Sequence, residues 1–315
     1  MEKTYEKIFD SVKKFNSSPE TKDTLKIKRD LILADHSSFR IGGPADIALF
    51  PENENALIFC LDLLTQSGVE FYVIGNASNV LFDDGGVRGA VVFTEKMNDV
   101  MVEYDHIYAE CGAPITKVSR AALEHSLSGL EFAYGIPGSI GGAVYMNAGA
   151  YGGQISDVVC ESRCYDINEK RVRTVVGDEH GFGYRKSVYA EQDGLVILSA
   201  KMKLSLRDKK EIKAKMDENL RARREKQPLE YPSAGSTFKR HPGYYTGKII
   251  EESGLKGFSV GGASVSEKHA GFVINRVGAT SADVKAVIKA IREKIYENYG
   301  IELECEIRFI GGDPL

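Results

Sequence analysis

Between Gly129 and Gly153, eight of twenty-five residues are glycine, and this density constrains the chain more than any other feature. In regular structure each glycine gives up about 0.5–1 kcal/mol against alanine, so such a run needs a compensating reason. The densest part reads Gly135-Ile136-Pro137-Gly138-Ser139-Ile140-Gly141-Gly142-Ala143 and continues to Met146-Asn147-Ala148-Gly149-Ala150-Tyr151-Gly152-Gly153. Close approach of the backbone to a diphosphate or a flat ring supplies that reason; a buried packing loop is the alternative. A second candidate, Gly75-Asn76-Ala77-Ser78-Asn79, directly follows an apolar strand and precedes Asp83, Asp84, Gly85 and Gly86. A tight turn after a strand lets N–H groups converge on a phosphate, although an ordinary strand-end turn looks the same. It is not the Gly-x-Gly-x-x-Gly dinucleotide fingerprint, because the spacing differs and no helix opens from it.

Around these motifs the pattern alternates between helix and strand. Tyr5, Ile8, Phe9, Val12 and Phe15 recur at helical spacing in the opening segment, which predicts an amphipathic helix rather than a secretory leader. Residues 16–30 are polar and read as a surface linker. Strands are expected at 45–50, 71–74, 90–94, 158–165, 171–176 and 195–204, and helices at 54–66, 116–127, 209–226, 246–253 and 281–299. Thr280 with Asp283 forms a capping-box pattern at the start of the last helix. From Glu302 to Phe309, Leu303, Cys305, Ile307 and Phe309 alternate with Glu302, Glu304, Glu306 and Arg308, which predicts a strand with one packed and one ionic face. The expected division is an N-terminal helix and linker at 1–30, one domain at 31–206 in two subdomains split near 95, and a second domain at 207–315.

Composition narrows the partners. The 315 residues carry a formal net charge of -4 with no broad basic excess, which argues against nucleic acid. No stretch is apolar long enough to span a bilayer, so no membrane insertion is expected. The five cysteines are odd in number, scattered and free of any Cys-x-x-Cys pair, so neither a disulfide framework nor a metal site is indicated and a cytoplasmic setting is expected.

Taken in order, Ser38-Phe39-Arg40-Ile41-Gly42-Gly43, the Gly75 turn, Gly129-Leu130-Glu131-Phe132, the Gly135 loop, Gly183-Tyr184-Arg185-Lys186-Ser187, Ala234-Gly235-Ser236-Thr237-Phe238-Lys239 and Leu303-Glu304-Cys305-Glu306 resemble the signatures of the UDP-N-acetylenolpyruvoylglucosamine reductase (UDP-N-acetylmuramate dehydrogenase) family. The matches span Ser37 to Gly311. The resemblance implies an α+β protein: an FAD-binding fold of the vanillyl-alcohol-oxidase type, made of two α+β subdomains, plus a C-terminal α+β substrate domain. It implies an NADPH-dependent flavoprotein oxidoreductase with non-covalent FAD, reducing UDP-N-acetylglucosamine enolpyruvate to UDP-N-acetylmuramate. That reaction serves peptidoglycan synthesis, hence cell wall biogenesis, cell shape and cell division. Small-molecule partners, the UDP-sugar and NADPH, and a monomeric state are expected.

Residue by residue, the resemblance places FAD contacts at Arg40, Gly75, Asn76, Ala77, Ser78, Asn79, Gly135, Ile136, Pro137, Gly138, Ser139, Gly142, Ala143 and Gly149. By default Arg185 is a surface arginine, Ser236 a turn serine and Glu306 a solvated strand carboxylate. The resemblance makes Arg185 a stabiliser of the enolate, Ser236 the proton donor and Glu306 the catalytic carboxyl. Such a carboxyl helps only if neutral or sharing its proton, because two anions repel, so a raised pKa is expected for Glu306. Tyr184, Lys226 and Lys239 resemble substrate-binding positions, whereas His269 is read as structural. Two departures stand out: Ala77 where the family often has glycine, and Arg240 where some relatives have asparagine. The short region between Arg185 and Ser236 resembles the shorter subgroup, which lacks a tyrosine-bearing loop over the substrate. An oxidase of the same fold and a non-enzymatic nucleotide-sugar sensor are the competing readings; retention of Arg185, Ser236 and Glu306 counts against both, and the lack of a motif for covalent flavin attachment counts against the oxidase.

Overall fold

The computed structural model describes residues 2–22 and 24–312; Met1, Asp23 and residues 313–315 of the expected domain ranges lie outside them. Eight helices carry the labels used below: α1 (Glu2–Phe15), α2 (Glu54–Gln66), α3 (Ile115–Glu124), α4 (Ile140–Tyr145), α5 (Val188–Glu191), α6 (Lys209–Lys226), α7 (Thr246–Glu252) and α8 (Ser281–Tyr299). The chain forms two compact units, each assembled from three separate stretches. The first comprises Met1–Arg29, Ile47–Asn76 and Gly89–Arg221, and the second Asp30–Asp46, Ala77–Arg88 and Ala222–Leu315.

The first unit is built on a five-stranded antiparallel sheet ordered Arg171–Val176, Val159–Asp166, Leu195–Lys203, His106–Glu110, Val100–Glu103. A four-stranded sheet ordered Leu25–Ile32, Pro44–Pro51, Val87–Phe93, Phe71–Ile74 has most of its residues here too. Alternating apolar residues of the larger sheet, Ile107, Ala109, Cys164, Ile197, Ala200 and Met202, enter one core with the buried stripe of α2. That helix starts where the Asn53 side chain accepts the Ala56 N–H at 2.9 Å, a cap for an otherwise orphaned donor. Glu54 and Arg163 join α2 to the sheet through a two-pronged ion pair at 2.8 and 2.9 Å, and Tyr165 donates to Asp62 at 2.7 Å.

The second unit packs α7 and α8 against a three-stranded antiparallel sheet (Ser259–Val260, Ala263–Val265, Val273–Asn275). Val284, Val287, Ile288, Ile291 and Ile295 give α8 a fully buried stripe. The capping box expected at its start is present, with Thr280 and Asp283 exchanging bonds at 3.1 and 3.0 Å. Asp84, from the tail of the Gly75 motif, also accepts the Ser281 and Ala282 N–H groups at 2.7 and 3.1 Å. A short parallel ladder joins Val80–Phe82 to Arg308–Ile310.

Three expectations change. The stretch 16–30 is not all linker, because Leu25–Ile32 forms a strand; its charged residues sit on the exposed face and conceal the alternation. The segment Glu302–Phe309 alternates in burial as expected through Cys305, but its ladder covers only Arg308–Ile310, and Glu306 is half-buried rather than on an open ionic face. The helix expected at 116–127 ends at Glu124, where Ser126 turns left-handed at φ 59°. No helix among the described residues is long and apolar enough to cross a membrane.

Candidate functional site

In the first unit the two glycine motifs meet. The Asn76 side chain donates to the Pro137 carbonyl at 3.1 Å, and a Cβ placed on Gly75 would stand 2.0 Å from Ser139 Oγ. Only glycine permits that approach. Ser139 in turn accepts the Gly142 N–H at 3.4 Å and opens α4. The glycines of the loop divide by cause. Gly141 lies against Cys111, and Gly153 against the ring of Phe132, where a Cβ would fall 3.0 and 2.6 Å away, so internal packing accounts for both. Gly142 is exposed, and a Cβ there would meet only Ser139 Oγ at 3.6 Å, so its missing side chain leaves space open to the outside. Gly75, Asn76 and Gly142 thus leave a surface of small and amide-bearing residues without a carboxylate, with Ser139 buried behind it as the cap of α4. That donor set fits the pyrophosphate and ring edge of FAD. Ile136 and Gly138 continue this surface half-buried and Pro137 exposed, whereas Ala143 is buried behind it and Gly149 lies in a two-strand hairpin with Gln154. Gly135 turns left-handed at φ 93°.

Also in the first unit, Tyr184 and Arg185 occupy the two central positions of a turn closed by reciprocal Gly183 and Lys186 backbone bonds at 3.1 and 3.3 Å. Arg185 adopts φ 54°, and its guanidinium lies 5.3 Å from the centre of the Tyr184 ring. Behind the turn is a fully enclosed polar chain that the sequence did not announce. His180 Nδ1 bonds the Gly177 carbonyl at 2.9 Å and so carries the proton; its Nε2 then accepts from Ser162 at 2.7 Å, and Ser162 accepts from Tyr189 at 2.6 Å. Burial holds His180 below the usual histidine range, which keeps it neutral. No local motif marks these three, since the partners are separated by up to 27 positions.

The second unit brings Ser236 and Glu306 onto neighbouring segments. The Thr237 carbonyl accepts the Glu306 N–H at 2.8 Å, Phe238 bridges Cys305 in antiparallel register, and Lys239 N–H reaches the Glu304 carbonyl at 2.9 Å. Gly235, at φ 76°, sets the bend before Ser236. Ser236 lines a cavity of about 330 Å³ with Phe238, Arg240, Tyr245, Lys248, Lys268 and His269. Three of these are cationic against one carboxylate, Glu251, a balance suited to an anion. His269 accepts the Gly271 N–H at 3.1 Å, and burial pushes its pKa down.

The remaining candidates take varied places within the second unit. Asn79 is tied to the terminal segment, its side chain donating to the Glu306 carbonyl at 3.1 Å and its carbonyl accepting from Arg308 at 3.0 Å. Ala77 is buried at φ 45°, a left-handed position that explains why glycine suits it. Ser78 is half-buried. Arg40 is exposed at φ 54°, on a loop whose Phe39 carbonyl accepts from Asn275 at 3.1 Å. Lys239 forms an ion pair with Glu304, and Lys226 is exposed at the end of α6.

An α+β fold whose glycine-lined surface fits FAD defines a flavoprotein oxidoreductase. Residues 45–175 match the FAD binding domain model, and residues 227–310 match that of the UDP-N-acetylenolpyruvoylglucosamine reductase C-terminal domain. The chain is 47% identical to the UDP-N-acetylenolpyruvoylglucosamine reductase of Clostridium perfringens, covering 90% of this chain and 93% of the relative. Against the protein of that name from Geobacillus kaustophilus it is 45% identical over 90% and 93%. The crystal structure of the Thermus caldophilus reductase superposes with a TM-score of 0.78 at 31% identity, covering 91% of this chain and all of that one. The chain belongs to the UDP-N-acetylenolpyruvoylglucosamine reductase family.

Proposed function

We propose that Arg185, Ser236 and Glu306 supply the chemistry of the reaction that family membership assigns to the chain: the FAD-dependent, NADPH-consuming reduction of UDP-N-acetylglucosamine enolpyruvate to UDP-N-acetylmuramate in peptidoglycan precursor synthesis. FAD, held by the Gly75 turn and the Gly135 loop, supplies two-electron carrier chemistry that lets NADPH and the sugar nucleotide use the protein in turn. The protein must then manage charge. A hydride arriving at the β-carbon of the enolpyruvyl group forms a new C–H bond there, breaks the π bond of the C=C and leaves its electron pair on the α-carbon, delocalised into the neighbouring carboxylate. Arg185 offers a permanent cation with a planar donor fork to that enolate. The Ser236 hydroxyl gives its proton to the α-carbon, which completes the lactyl ether, and Glu306 in its neutral form steadies the developing negative charge. The cationic wall of the Ser236 cavity suits the diphosphate of the nucleotide.

The observation that carries this reading is the antiparallel pairing that sets the Ser236 segment beside the Glu306 segment, with Ser236 opening into a cationic cavity. We assign residues 31–206 to cofactor binding and 207–315 to the substrate, supported by the family models at 45–175 and 227–310. A monomer in the cytoplasm is proposed with it, supported by free thiols at all five cysteines and by nucleotide substrates. Purified protein given NADPH and the enolpyruvyl sugar nucleotide should consume one NADPH per lactyl ether formed. NADPH consumption at the same rate without the sugar nucleotide would overturn the assignment.

A further inference from the structure

The turn that presents Arg185 is strained at that residue, and its own two backbone bonds do not determine where it stands relative to the rest of the first unit. The glycine-rich segment does. Asn147 follows α4, is 3% exposed and sits at φ 44°, a conformation for which glycine is the default. Nearby, at Gly152, the chain does use glycine for a left-handed position, φ 84°, where an added Cβ would meet nothing. An asparagine in this place therefore keeps its side chain for a reason, and its bonds state it. Oδ1 accepts the Ser156 N–H at 2.9 Å; Nδ2 donates to Gln154 Oε1 at 3.3 Å and to the Gly183 carbonyl at 3.0 Å. The first two bonds stay within the loop. The third leaves it and holds the residue that opens the Arg185 turn. On the other side of the turn, Ser187 is fully buried and donates its hydroxyl to the Tyr145 carbonyl at 2.5 Å. Gly183 and Ser187, flanking Tyr184-Arg185-Lys186, are thus both fastened to the C-terminal end of α4 and the residue pair after it.

We infer that Asn147 is a positioning residue for Arg185: it registers the arginine turn to the segment that carries the cofactor loop. The inference rests on the reading of Arg185 given above. Flanking anchors make the Gly183 bond decisive. Five residues before Arg185, His180 is locked by Ser162, and four residues after it Tyr189 is locked by the same hydroxyl, so the stretch between them keeps its freedom mainly at Gly181 and Gly183. Fixing the Gly183 carbonyl removes what remains.

Asn147→Asp is the discriminating change. Aspartate tolerates the left-handed backbone and still accepts from Ser156, but it places an oxygen where Gly183 needs a donor. Reduction of the bound flavin by NADPH should stay within about threefold of wild type, while reoxidation by the enolpyruvyl sugar nucleotide falls by roughly 10- to 100-fold, the scale of a catalytic group displaced by about 1 Å. Flavin content should not change, and amide exchange at 183–187 should quicken in the protein without substrate. Placed on Arg185→Ala, which by itself should slow the same half-reaction, Asn147→Asp should add less than about threefold, because its effect passes through the arginine. Equal losses in both half-reactions, or losses that multiply in the double variant, overturn the inference while leaving the Arg185 reading intact. An Arg185→Ala protein with an unimpaired second half-reaction overturns that reading and this inference with it. If Asn147→Asp does not fold, Ser187→Ala removes the second fastening, and the same half-reaction split and non-additivity are expected of it.

Discussion

The glycine-rich stretch of the first unit and the paired Ser236 and Glu306 segments of the second make contrasting use of the chain. In the former, the arrangement depends on what side chains leave out: Gly75 lets Ser139 come close, and Gly142 keeps an opening. In the latter, backbone pairing is plain β geometry and the proposed chemistry lies in what side chains carry. The lesson is that the same loss of activity should arise by separable routes, cofactor loss with instability in one region and failed chemistry on an intact fold in the other.

The largest effect should break the second region without touching the first. Ser236→Ala and Glu306→Gln should each lower turnover by about 10²- to 10⁴-fold, the usual reach of a proton-transfer group, with flavin content and melting temperature unchanged. A Glu306→Gln protein of normal rate would remove that carboxyl from the mechanism. Next comes Gly75→Ala, which drives a Cβ into Ser139 Oγ and should cost about 1–3 kcal/mol, read as weakened FAD retention. Adding Ser139→Gly should restore much of it, since glycine caps a helix nearly as well as serine. Failure of that rescue would mean the two motifs do not act through this contact.

A smaller effect sharpens the comparison by pH. Burial depresses His180 in the first unit and His269 in the second, so folding favours their neutral forms. Stability from each is whole above the unfolded histidine value near 6.5 and declines as pH falls below it, until the folded-state pKa is passed. The melting temperature should drop between pH 7 and about 5, and less steeply in His180→Gln, although that variant starts lower. A flat wild-type profile would show that neither ring is held neutral. Smallest is Lys239→Ala. Its ion pair with Glu304 is partly exposed and worth about 0–1 kcal/mol, so a change in stability alone fits a structural role, whereas a raised KM for the sugar nucleotide puts Lys239 in the binding site.

Much of this arrangement could be read before the fold. Local signals located α2, α6, α7 and α8 to within a residue or so: the capping box opens α8, and the charged run of α6 stops ahead of Pro228. The strand Leu25–Ile32 escaped because Lys26, Lys28, Arg29 and Asp30 make its exposed face look like a linker. The hairpin Val100–Glu103 with His106–Glu110 was not anticipated either, being short and only half-buried along one strand. Arg185, Ser236 and Glu306 entered as candidates through the family resemblance rather than through pattern, and pattern could not reveal that Asp83 and Asp84 serve α8. Asp83 meets Lys285 at 3.2 Å across 202 positions, and pairings of that span leave no trace in periodicity.

Interleaving carries a consequence for how the molecule is made. Asn79 waits for Glu306, 227 positions further on, and Val80–Phe82 has no ladder until Arg308–Ile310 arrives beside it. At about 5–20 residues per second, a ribosome takes on the order of ten to forty-five seconds to cover that interval. During it, Leu81 and Phe82, both fully enclosed in the finished fold, stand in a nascent chain without their parallel neighbour. A premature stop just before Arg308 would thus harm more than a terminus, because it would strand an apolar edge emitted near the start of synthesis and invite chaperone capture.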